Sequence, residues 1–466
     1  MAAITTAQVL ALVRNIFLAR LLGPEQFGLA MTLVLTMQFF DSLSDSGNDK
    51  FLIQDRDGDA PEVQNMAHFL AIGRGLGLAA GLALLAGPLA GFYGAPQMTT
   101  AFMLLGFSPL AMGFFHLDVR REQRHRNFLP ESRTILWAES LGFAATIVAA
   151  IVLHSYFAIL VGLIARSVTM MIVSHITAIR PYRPAYSKGH APRFWTFGWP
   201  LLLNGPLLFF SGQGDRLLIG NQLGVTQLGL YSAAMLLIFS PSMMLNRFIR
   251  SLYLPVLSAK RDDPAAFLKA EIEFKSGQIA LAMAMATGFA IIGPTALHIF
   301  YGSRYAQAHE LIAAIGILQS VRFLRSWPIS IAFAMGRSGL ILTSNIFRLS
   351  SIPAGIAAAI LWQSLFALTM GFFAGEILAL TISVILNNRA LGRPSTTGLF
   401  GLFTMLVNAA LIIAAVGVFS SGWPKTASTA AMALAAIFIL CLVLEKHIFA
   451  TSLSRLRQIR KLLAFG

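Results

Sequence analysis

Arginines inside long apolar stretches are the residues of this chain with the clearest chemical potential. A guanidinium at the centre of a bilayer costs about 2.5–3.5 kcal/mol on insertion scales. Eight arginines facing lipid would therefore not be tolerated. Because a planar guanidinium binds two phosphate oxygens at once, the pattern predicts a hydrated, anion-binding interior. The eight are Arg14, Arg20, Arg74, Arg166, Arg216, Arg322, Arg325 and Arg348.

Six of these arginines are the candidates for substrate binding, namely Arg14, Arg20, Arg216, Arg322, Arg325 and Arg348. Arg14 and Arg20 are six residues apart, which is about 9 Å along a helix, so they predict two cationic levels in one cavity. Snorkelling to the membrane interface is the structural alternative for Arg20. Arg322 and Arg325 are one helical turn apart. For these two and for Arg348, capping of broken helices or pairing with Glu376 is the structural alternative.

Five carboxylates share the apolar stretches: Asp41, Asp45, Glu139, Asp215 and Glu376. Intramembrane carboxylates mark ion pathways or pair with buried arginines. Asp41 and Asp45 are one turn apart and face the same side of a helix. Asp41, Asp45, Asp215 and Glu376 are therefore candidates for ion coupling or for charge pairing, and pairing is favoured for the first two.

The elements that must position these side chains are membrane-spanning helices. The chain is 56% hydrophobic and 12% charged, with a mean hydropathy of +0.71, against about 25% charged residues in soluble proteins. A helical span needs about 20 apolar residues. The composition thus predicts an all-α polytopic membrane protein with fourteen transmembrane helices. They are expected at roughly 4–22, 27–45, 67–92, 97–117, 134–153, 155–178, 198–219, 228–252, 277–300, 308–334, 338–361, 363–388, 399–420 and 425–448.

The basic residues predict the orientation of these helices. Alternate loops carry 25 of the 35 Lys and Arg residues, whereas the opposite loops carry only Arg304 and Lys425. Cytoplasmic loops are enriched in Lys and Arg. We therefore expect both termini in the cytoplasm.

A repeat divides the chain into two halves. Leu22-Gly-Pro-Glu-Gln-Phe-Gly-Leu29 matches Leu223-Gly-Val-Thr-Gln-Leu-Gly-Leu230 at five of eight positions, and Phe92-Tyr-Gly94 recurs as Phe300-Tyr-Gly302. Six spans separate each pair, which predicts two six-helix halves in a parallel repeat. The predicted organisation is an N-terminal half (1–180), a cytoplasmic linker (181–197), a C-terminal half (198–390), two additional helices (399–448) and a basic amphipathic cytoplasmic tail (449–466).

The same motifs carry a family resemblance. Ala19-Arg-Leu-Leu-Gly-Pro-Glu-Gln-Phe-Gly-Leu29, followed by Asp45-Ser-Gly47, resembles the opening of the polysaccharide-export and O-antigen flippases. So does Gly214–Ala234. These proteins belong to the multidrug/oligosaccharidyl-lipid/polysaccharide exporter superfamily. The Arg14 and Arg20 spacing is also similar to the lipid II flippases, in which a cationic central cavity receives a lipid diphosphate.

The resemblance and the cationic interior together predict a flippase. Its expected cargo is a polyprenyl-diphosphate-linked oligosaccharide, moved by alternating access for cell-surface or exported polysaccharide synthesis. A multidrug or organic-cation antiporter of the same superfamily is an alternative, disfavoured because intramembrane arginines outnumber carboxylates. A membrane glycosyltransferase or polymerase is a weaker alternative, because such enzymes need carboxylates or metal ligands on sizeable loops.

Several classes of partner are also predicted or excluded. No cofactor and no enzymatic activity are expected, and no group of His, Asp and Glu has the spacing of a metal site. Nucleic acid is excluded as a partner, since the net charge of +15 is explained by topology. The basic tail predicts contact with anionic membrane lipids. Polysaccharide polymerase or export proteins are further expected partners.

Overall fold

The computed structural model describes residues 2–394 and, beyond them, residues 403, 406, 407, 409, 410 and 412. Every regular element in this described part is a helix. The tail at 449–466 and, apart from those six residues, the two additional C-terminal helices expected at 399–448 lie outside the described residues. By its internal contacts the chain forms two compact units, Met1–Ala233 and Ala234–Gly466.

The first unit contains nine complete helices and the start of a tenth. They are α1 (Ala2–Ser44), α2 (Asn48–Gln54), α3 (Pro61–Phe92), α4 (Thr99–Leu105), α5 (Phe107–Gly113), α6 (Asp118–Arg124), α7 (Leu129–Leu153), α8 (Phe157–Thr177), α9 (Ala191–Gln222) and the start of α10 (Val225–Ala259). A short 3₁₀ turn, Pro96–Met98, precedes α4.

The second unit begins within α10. Its described helices are α11 (Pro264–Tyr301), α12 (His309–Leu324), α13 (Ser326–Ala334), α14 (Ser338–Arg348), α15 (Ser351–Trp362) and α16 (Leu365–Ala390), with a 3₁₀ helix at Ser303–Ala308.

The described helices cover the predicted apolar stretches up to residue 388. Eight described helices are long and apolar enough to cross a membrane, or nine if the bent pair Pro96–Gly113 and Asp118–Arg124 is one span. α1 contains the first two predicted spans. They are separated at Gly23, where the backbone departs from helical geometry. The polytopic all-helical class is therefore confirmed, while the number fourteen stays a prediction.

Polarity in the described part is arranged for a membrane environment. Large apolar side chains such as Leu84, Val152 and Ile176 are at least 70% exposed. Glu376 and Asp118 are instead fully buried. Lipid solvates apolar side chains, whereas polar groups at membrane depth need partners inside the protein. The exterior is thus apolar and the chemistry is internal.

The α9 helix, expected in the second half, packs within the first unit. A Cβ on Gly205 would lie 1.8 Å from the carbonyl oxygen of Ser42, and a Cβ on Gly198 would lie 2.9 Å from that of Ser46. Gly205 lets the backbone of α9 approach α1 closely, as small residues do in membrane helices, and Gly198 permits a close approach to the residues that follow α1. The division into repeated halves stays a prediction.

The two copies of the repeated motif contact each other directly. Gly23 (φ 79°) and Gly224 (φ 88°) both adopt a positive φ, which favours glycine. A Cβ on Gly28 would lie 1.8 Å from the carbonyl oxygen of Val225, and a Cβ on Gly229 would lie 1.9 Å from that of Pro24. The matched glycines of the sequence repeat are thus the residues that allow this backbone contact.

Hydrogen bonds and ring packing hold the segment between α8 and α9 against the rest of the first unit. Asp118 accepts hydrogen bonds from the backbone N–H of Ile179 (2.8 Å) and of Arg180 (3.3 Å). The Arg180 guanidinium donates to the carbonyl oxygen of Asp59 at 2.6 Å. Tyr182 packs its ring against His68, with the ring centroids 4.4 Å apart. We call residues 178–190 the strap.

Asp118 is the charge that anchors this strap. Burial opposes its ionisation, but the Arg121 guanidinium at 2.6 Å and the backbone amides lower the pKa of Asp118 to about 2. A carboxyl with a lowered pKa stabilises the folded state above its unfolded pKa of about 3.9, and this contribution is lost as pH falls through the folded pKa. The strap should therefore hold throughout pH 5–8.

Substituting Gly28 tests the contact between the motifs. We expect Gly28→Ala to lower the free energy of unfolding by about 3 kcal/mol, since the new methyl group would collide with the backbone at Val225. Thermal melting of the purified protein measures this. Gly77→Ala is the matched control, because no atom outside the helix backbone lies within 4 Å of its Cβ. Equal melting of the two variants would contradict the contact.

Substituting Asp118 tests the strap. We expect Asp118→Asn to speed tryptic cleavage after the exposed Lys188, because the anchoring charge is lost and the strap opens more often. Limited proteolysis at pH 7 measures the cleavage rate, which should rise by about tenfold for a loss of 1.4 kcal/mol. Asp262→Asn, at a carboxylate that is 90% exposed, is the control. Unchanged cleavage in the Asp118 variant would show that other contacts hold the strap.

Candidate functional site

Three arginines of the second unit surround one glutamate. Arg322 Nε and Arg348 Nε donate to the same oxygen, Oε1 of Glu376, at 2.9 and 2.6 Å. Arg325 Nη1 lies 3.8 Å from the other oxygen, Oε2. The Glu376 side chain is 1% exposed, and the three arginine side chains are at most 15% exposed. The pairing alternative of the sequence analysis is therefore realised.

Two of these arginines lie at breaks between helices. Arg325 is the junction residue between α12 and α13, and Arg348 is the last residue of α14 before α15 begins at Ser351. The last carbonyls of a helix lack intrahelical partners and carry partial negative charge. Arginines at these breaks are thus stabilised by the helix ends as well as by Glu376.

A close helix contact brings Glu376 to Arg348. A Cβ on Gly375 would lie only 2.3 Å from Cα of Ser351. Because Gly375 has no side chain, α16 can approach the break between α14 and α15 at this level. Glu376 follows directly in the sequence and reaches the guanidinium groups. The glycine is therefore part of the site through the contact that it permits.

A fourth arginine lines the same space. Arg250 of α10, with Arg322, Arg325 and Arg348, borders a cavity of about 140 Å³ that also includes Asn246, Ser326 and Ile329. The guanidinium carbon of Arg250 lies 4.8 Å from the ring centroid of Phe333, a cation–π distance. No carboxylate among the described residues forms a salt bridge with Arg250. Four guanidinium groups and one carboxylate give this site a surplus of three positive charges.

The first unit holds a second charged group. Arg166 Nε donates to Oε1 of Glu139 at 2.5 Å. Arg14 lies within electrostatic range of both side chains, and its buried Nε has no hydrogen-bond partner among the described residues. Gly142 and Gly162 allow α7 and α8 to pack closely, which places Glu139 opposite Arg166. Two arginines and one glutamate again leave a positive surplus.

The acidic pair of α1 is engaged in ion pairs. Asp41 Oδ1 lies 3.1 Å from Arg74 Nη2, and Asp45 Oδ2 lies 2.8 Å from Lys50 Nζ. Arg74 Nε also donates to the hydroxyl of Ser44 at 2.8 Å. The structural role that the sequence favoured for these two carboxylates agrees with this geometry. Ion coupling by them stays a prediction.

The remaining predicted residues have different surroundings. Arg20 is exposed, whereas Arg14 is half-buried. Asp215 is fully buried and accepts a hydrogen bond from the Tyr231 hydroxyl at 2.8 Å. Its neighbour Arg216 is 8% exposed. The structure thus gathers Arg322, Arg325, Arg348 and Glu376 into one site, and it places Arg14, Arg20, Arg216 and Asp215 in the first unit.

Sequence reasoning missed Arg250 and the Glu139–Arg166 pair. Arg250 is one of the 25 basic residues that the sequence pattern placed in loops, although it lies near the end of the predicted span 228–252, and α10 in fact continues to Ala259. The sequence does contain a signal for Arg250: Asn246 and Arg250 are four residues apart and therefore share a helix face. No periodicity within a single span could have paired Glu139 with Arg166, which are on different helices.

Within the part of the chain that the structure describes, no group of three or more His, Cys, Asp or Glu side chains is placed to hold a metal ion. The cavity of the second unit is instead lined by guanidinium groups.

Comparison with known proteins identifies the family. A family model described as "Polysaccharide biosynthesis protein" matches residues 17–310, which is more than half of the chain. The chain belongs to this family. The resemblance to polysaccharide-export proteins that the motifs indicated is therefore confirmed.

Two relatives of this polysaccharide biosynthesis protein are similar over about 65% of its chain. Amylovoran biosynthesis protein AmsL of Erwinia amylovora is 22% identical over 314 residues, or 76% of its own length. Succinoglycan biosynthesis transport protein ExoT of Rhizobium meliloti is 22% identical over 310 residues. The matched region spans 61% of ExoT, less than two thirds of that relative.

Solved structures show the same fold. The lipid II flippase MurJ in an inward closed conformation superposes with a TM-score of 0.70 at 11% identity, covering 97% of this chain and 98% of MurJ. An inward-facing multidrug resistance MATE transporter of the MOP superfamily gives 0.64 at 14% identity, covering 83% and 94%. At these identities the likeness concerns the fold.

Substitutions at Glu376 and Arg250 should differ sharply in their effect on stability. We expect Glu376→Gln to lower the free energy of unfolding by about 3 kcal/mol, because three buried arginines lose their counter-ion. Arg250→Gln should change it by less than about 1 kcal/mol, since no carboxylate is left unpaired. Thermal melting in detergent compares the two. A larger loss in the Arg250 variant would contradict the charge surplus described here.

Proposed function

We propose that this protein is a flippase that translocates a lipid-diphosphate-linked oligosaccharide across the bacterial cytoplasmic membrane. The observation that carries the proposal is the buried site of Arg250, Arg322, Arg325, Arg348 and Glu376, with its three surplus positive charges. A polyprenyl diphosphate supplies the negative charge and the oxygen atoms that such a site requires. Family membership and the names of both relatives support a role in polysaccharide biosynthesis, and the name of ExoT supports transport.

In this proposal the diphosphate, the lipid tail and the glycan of the cargo each have a different environment. Arginines neutralise the diphosphate, which would otherwise be costly to move through a region of low dielectric constant. The lipid tail stays in hydrocarbon, and the glycan occupies hydrated space. Movement by alternating access of the two predicted six-helix halves, with both termini in the cytoplasm, completes the proposal. Polymerase or export proteins would receive the translocated product.

Arg14 is the proposed second contact for the anion. Its half-buried guanidinium lies near a Glu139–Arg166 pair that is already complete in itself. An arginine whose Nε has no hydrogen-bond partner within the described residues has bonding capacity for a phosphate oxygen. Arg20 and Arg216 keep the roles expected from the sequence as part of the same proposal.

The function is tested by reconstitution in liposomes. Labelled oligosaccharide on undecaprenyl diphosphate is added to one leaflet, and its appearance on the other is measured with a membrane-impermeant glycosidase. We expect Arg250→Gln combined with Arg322→Gln to lower the initial rate by at least about tenfold, as expected when one or two charged contacts to the moving anion are lost.

The control and the contrary result are defined by the same assay. Arg304→Gln removes an exposed arginine far from the site and should leave the rate unchanged. Full translocation by the double variant would remove the central role of the four-arginine site. Extrusion of ethidium without any glycolipid movement would instead favour the organic-cation antiporter.

A further inference from the structure

Glu376 has a position that charge pairing alone does not explain. Its Oε1 receives two guanidinium N–H groups, but its Oε2 is buried without a hydrogen-bond partner among the described residues. Arg325 Nη1, 3.8 Å from that oxygen, is likewise buried without one. A buried polar atom without a hydrogen bond destabilises the arrangement that holds it. The carboxylate therefore occupies the arginines without satisfying them fully.

We propose that Glu376 is an internal competitor of the substrate: its carboxylate occupies Arg322 and Arg348 in the empty protein, and an incoming diphosphate replaces it there. This inference rests on the proposed function and adds a specificity-determining residue to it. No bond is made or broken in the exchange. The two guanidinium groups pass from a carboxylate with one satisfied oxygen to a ligand with more acceptor oxygens.

Arg250 gives the exchange a starting point. It borders the same cavity, lies over the face of Phe333 and has no salt bridge to a carboxylate in the described residues. An anion that enters the cavity can therefore be bound by Arg250 before any existing ion pair opens. Arg322 and Arg348 then exchange partners while the anion is already held.

Competition by Glu376 makes the site selective for ligands that carry more than one negative charge. A singly charged anion such as chloride offers one acceptor atom and cannot replace the contacts that Arg322 and Arg348 make with Glu376. A diphosphate brings two negative charges and several oxygens, which also reach Arg325 Nη1. Specificity then arises because the wrong ligand must break an ion pair that it cannot replace. The site excludes small anions even though it is strongly cationic.

Competition also explains how the ligand leaves. Four arginines without a carboxylate would hold a diphosphate tightly, and a transporter must release its cargo. When Glu376 returns to Arg322 and Arg348, it replaces the contacts that the departing anion loses. Glu376 thus lowers the affinity and raises the rate of release, a combination that a purely structural counter-ion would not produce.

The test uses inorganic pyrophosphate as the probe and the full-length protein in nanodiscs of neutral phosphatidylcholine. Calorimetric titration gives Kd. We expect Glu376→Gln to bind pyrophosphate at least about tenfold more tightly than the unchanged protein, because the competing charge is gone. Pyrophosphate should also raise the melting temperature of this variant more than that of the unchanged protein, since the anion replaces the missing counter-ion.

Transport kinetics provide a readout that lost packing would not mimic. In the liposome assay, Glu376→Gln should lower KM and kcat together, because binding is favoured and release is slowed. Glu376→Asp keeps the charge on a shorter side chain and should show a smaller shift in the same direction. Glu271→Gln is the matched control, since Glu271 is a buried, Arg393-paired carboxylate of the same unit outside the cavity; its pyrophosphate affinity should not change.

The outcomes separate this inference from the proposed function. If Arg322→Gln and Arg348→Gln weaken pyrophosphate binding but Glu376→Gln leaves it unchanged or weaker, Glu376 is a structural counter-ion only and the flippase proposal stands. If no arginine variant alters pyrophosphate binding or translocation, the site itself is misassigned. Should Glu376→Gln fail to fold, an unchanged affinity in Glu376→Asp would overturn the exchange.

Discussion

The desolvation of guanidinium groups is the constraint on which the described structure depends. An arginine removed from water needs a carboxylate, a set of acceptors or a hydrated cavity. The apolar stretches contain fewer carboxylates than arginines, so one-to-one pairing is impossible. Several arginines therefore share one carboxylate: Glu376 faces Arg322, Arg325 and Arg348. The resulting positive surplus is what makes an anionic ligand favourable.

Close helix packing is what makes such sharing possible. Carboxylate side chains are short, so the helices that carry the two charges must approach to near backbone contact. Gly375 permits that approach next to Glu376, and Gly142 permits it one turn from Glu139. Small residues in membrane helices are usually discussed as packing elements. In this protein they also determine which charged side chains meet, so the same glycines control helix packing and ion pairing.

The sequence predicts those features that depend on one helix at a time. Apolar length located the helical stretches through residue 388, and the repeated Leu-Gly motif located Gly28 and Gly229, which contact at the level of their backbones. Features that depend on two distant helices were not predictable from periodicity. Arg250 looked like a loop residue, and the strap around Tyr182 looked like a simple linker. Only tertiary packing brings His68 and Asp118 to that segment.

The charge surplus distinguishes between the transport classes that share this fold. A cavity that binds organic cations needs uncompensated carboxylates, whereas every carboxylate at the second-unit site is already faced by more than one arginine. An acidic side chain within such a cluster cannot attract a cation, because the surrounding guanidinium groups repel it more strongly than one carboxylate attracts it. The same surplus would bind an anion too tightly for turnover if nothing opposed it. A carboxylate that competes for the arginines therefore reconciles high local charge with release, and its burial beside Gly375 is the structural condition for that balance.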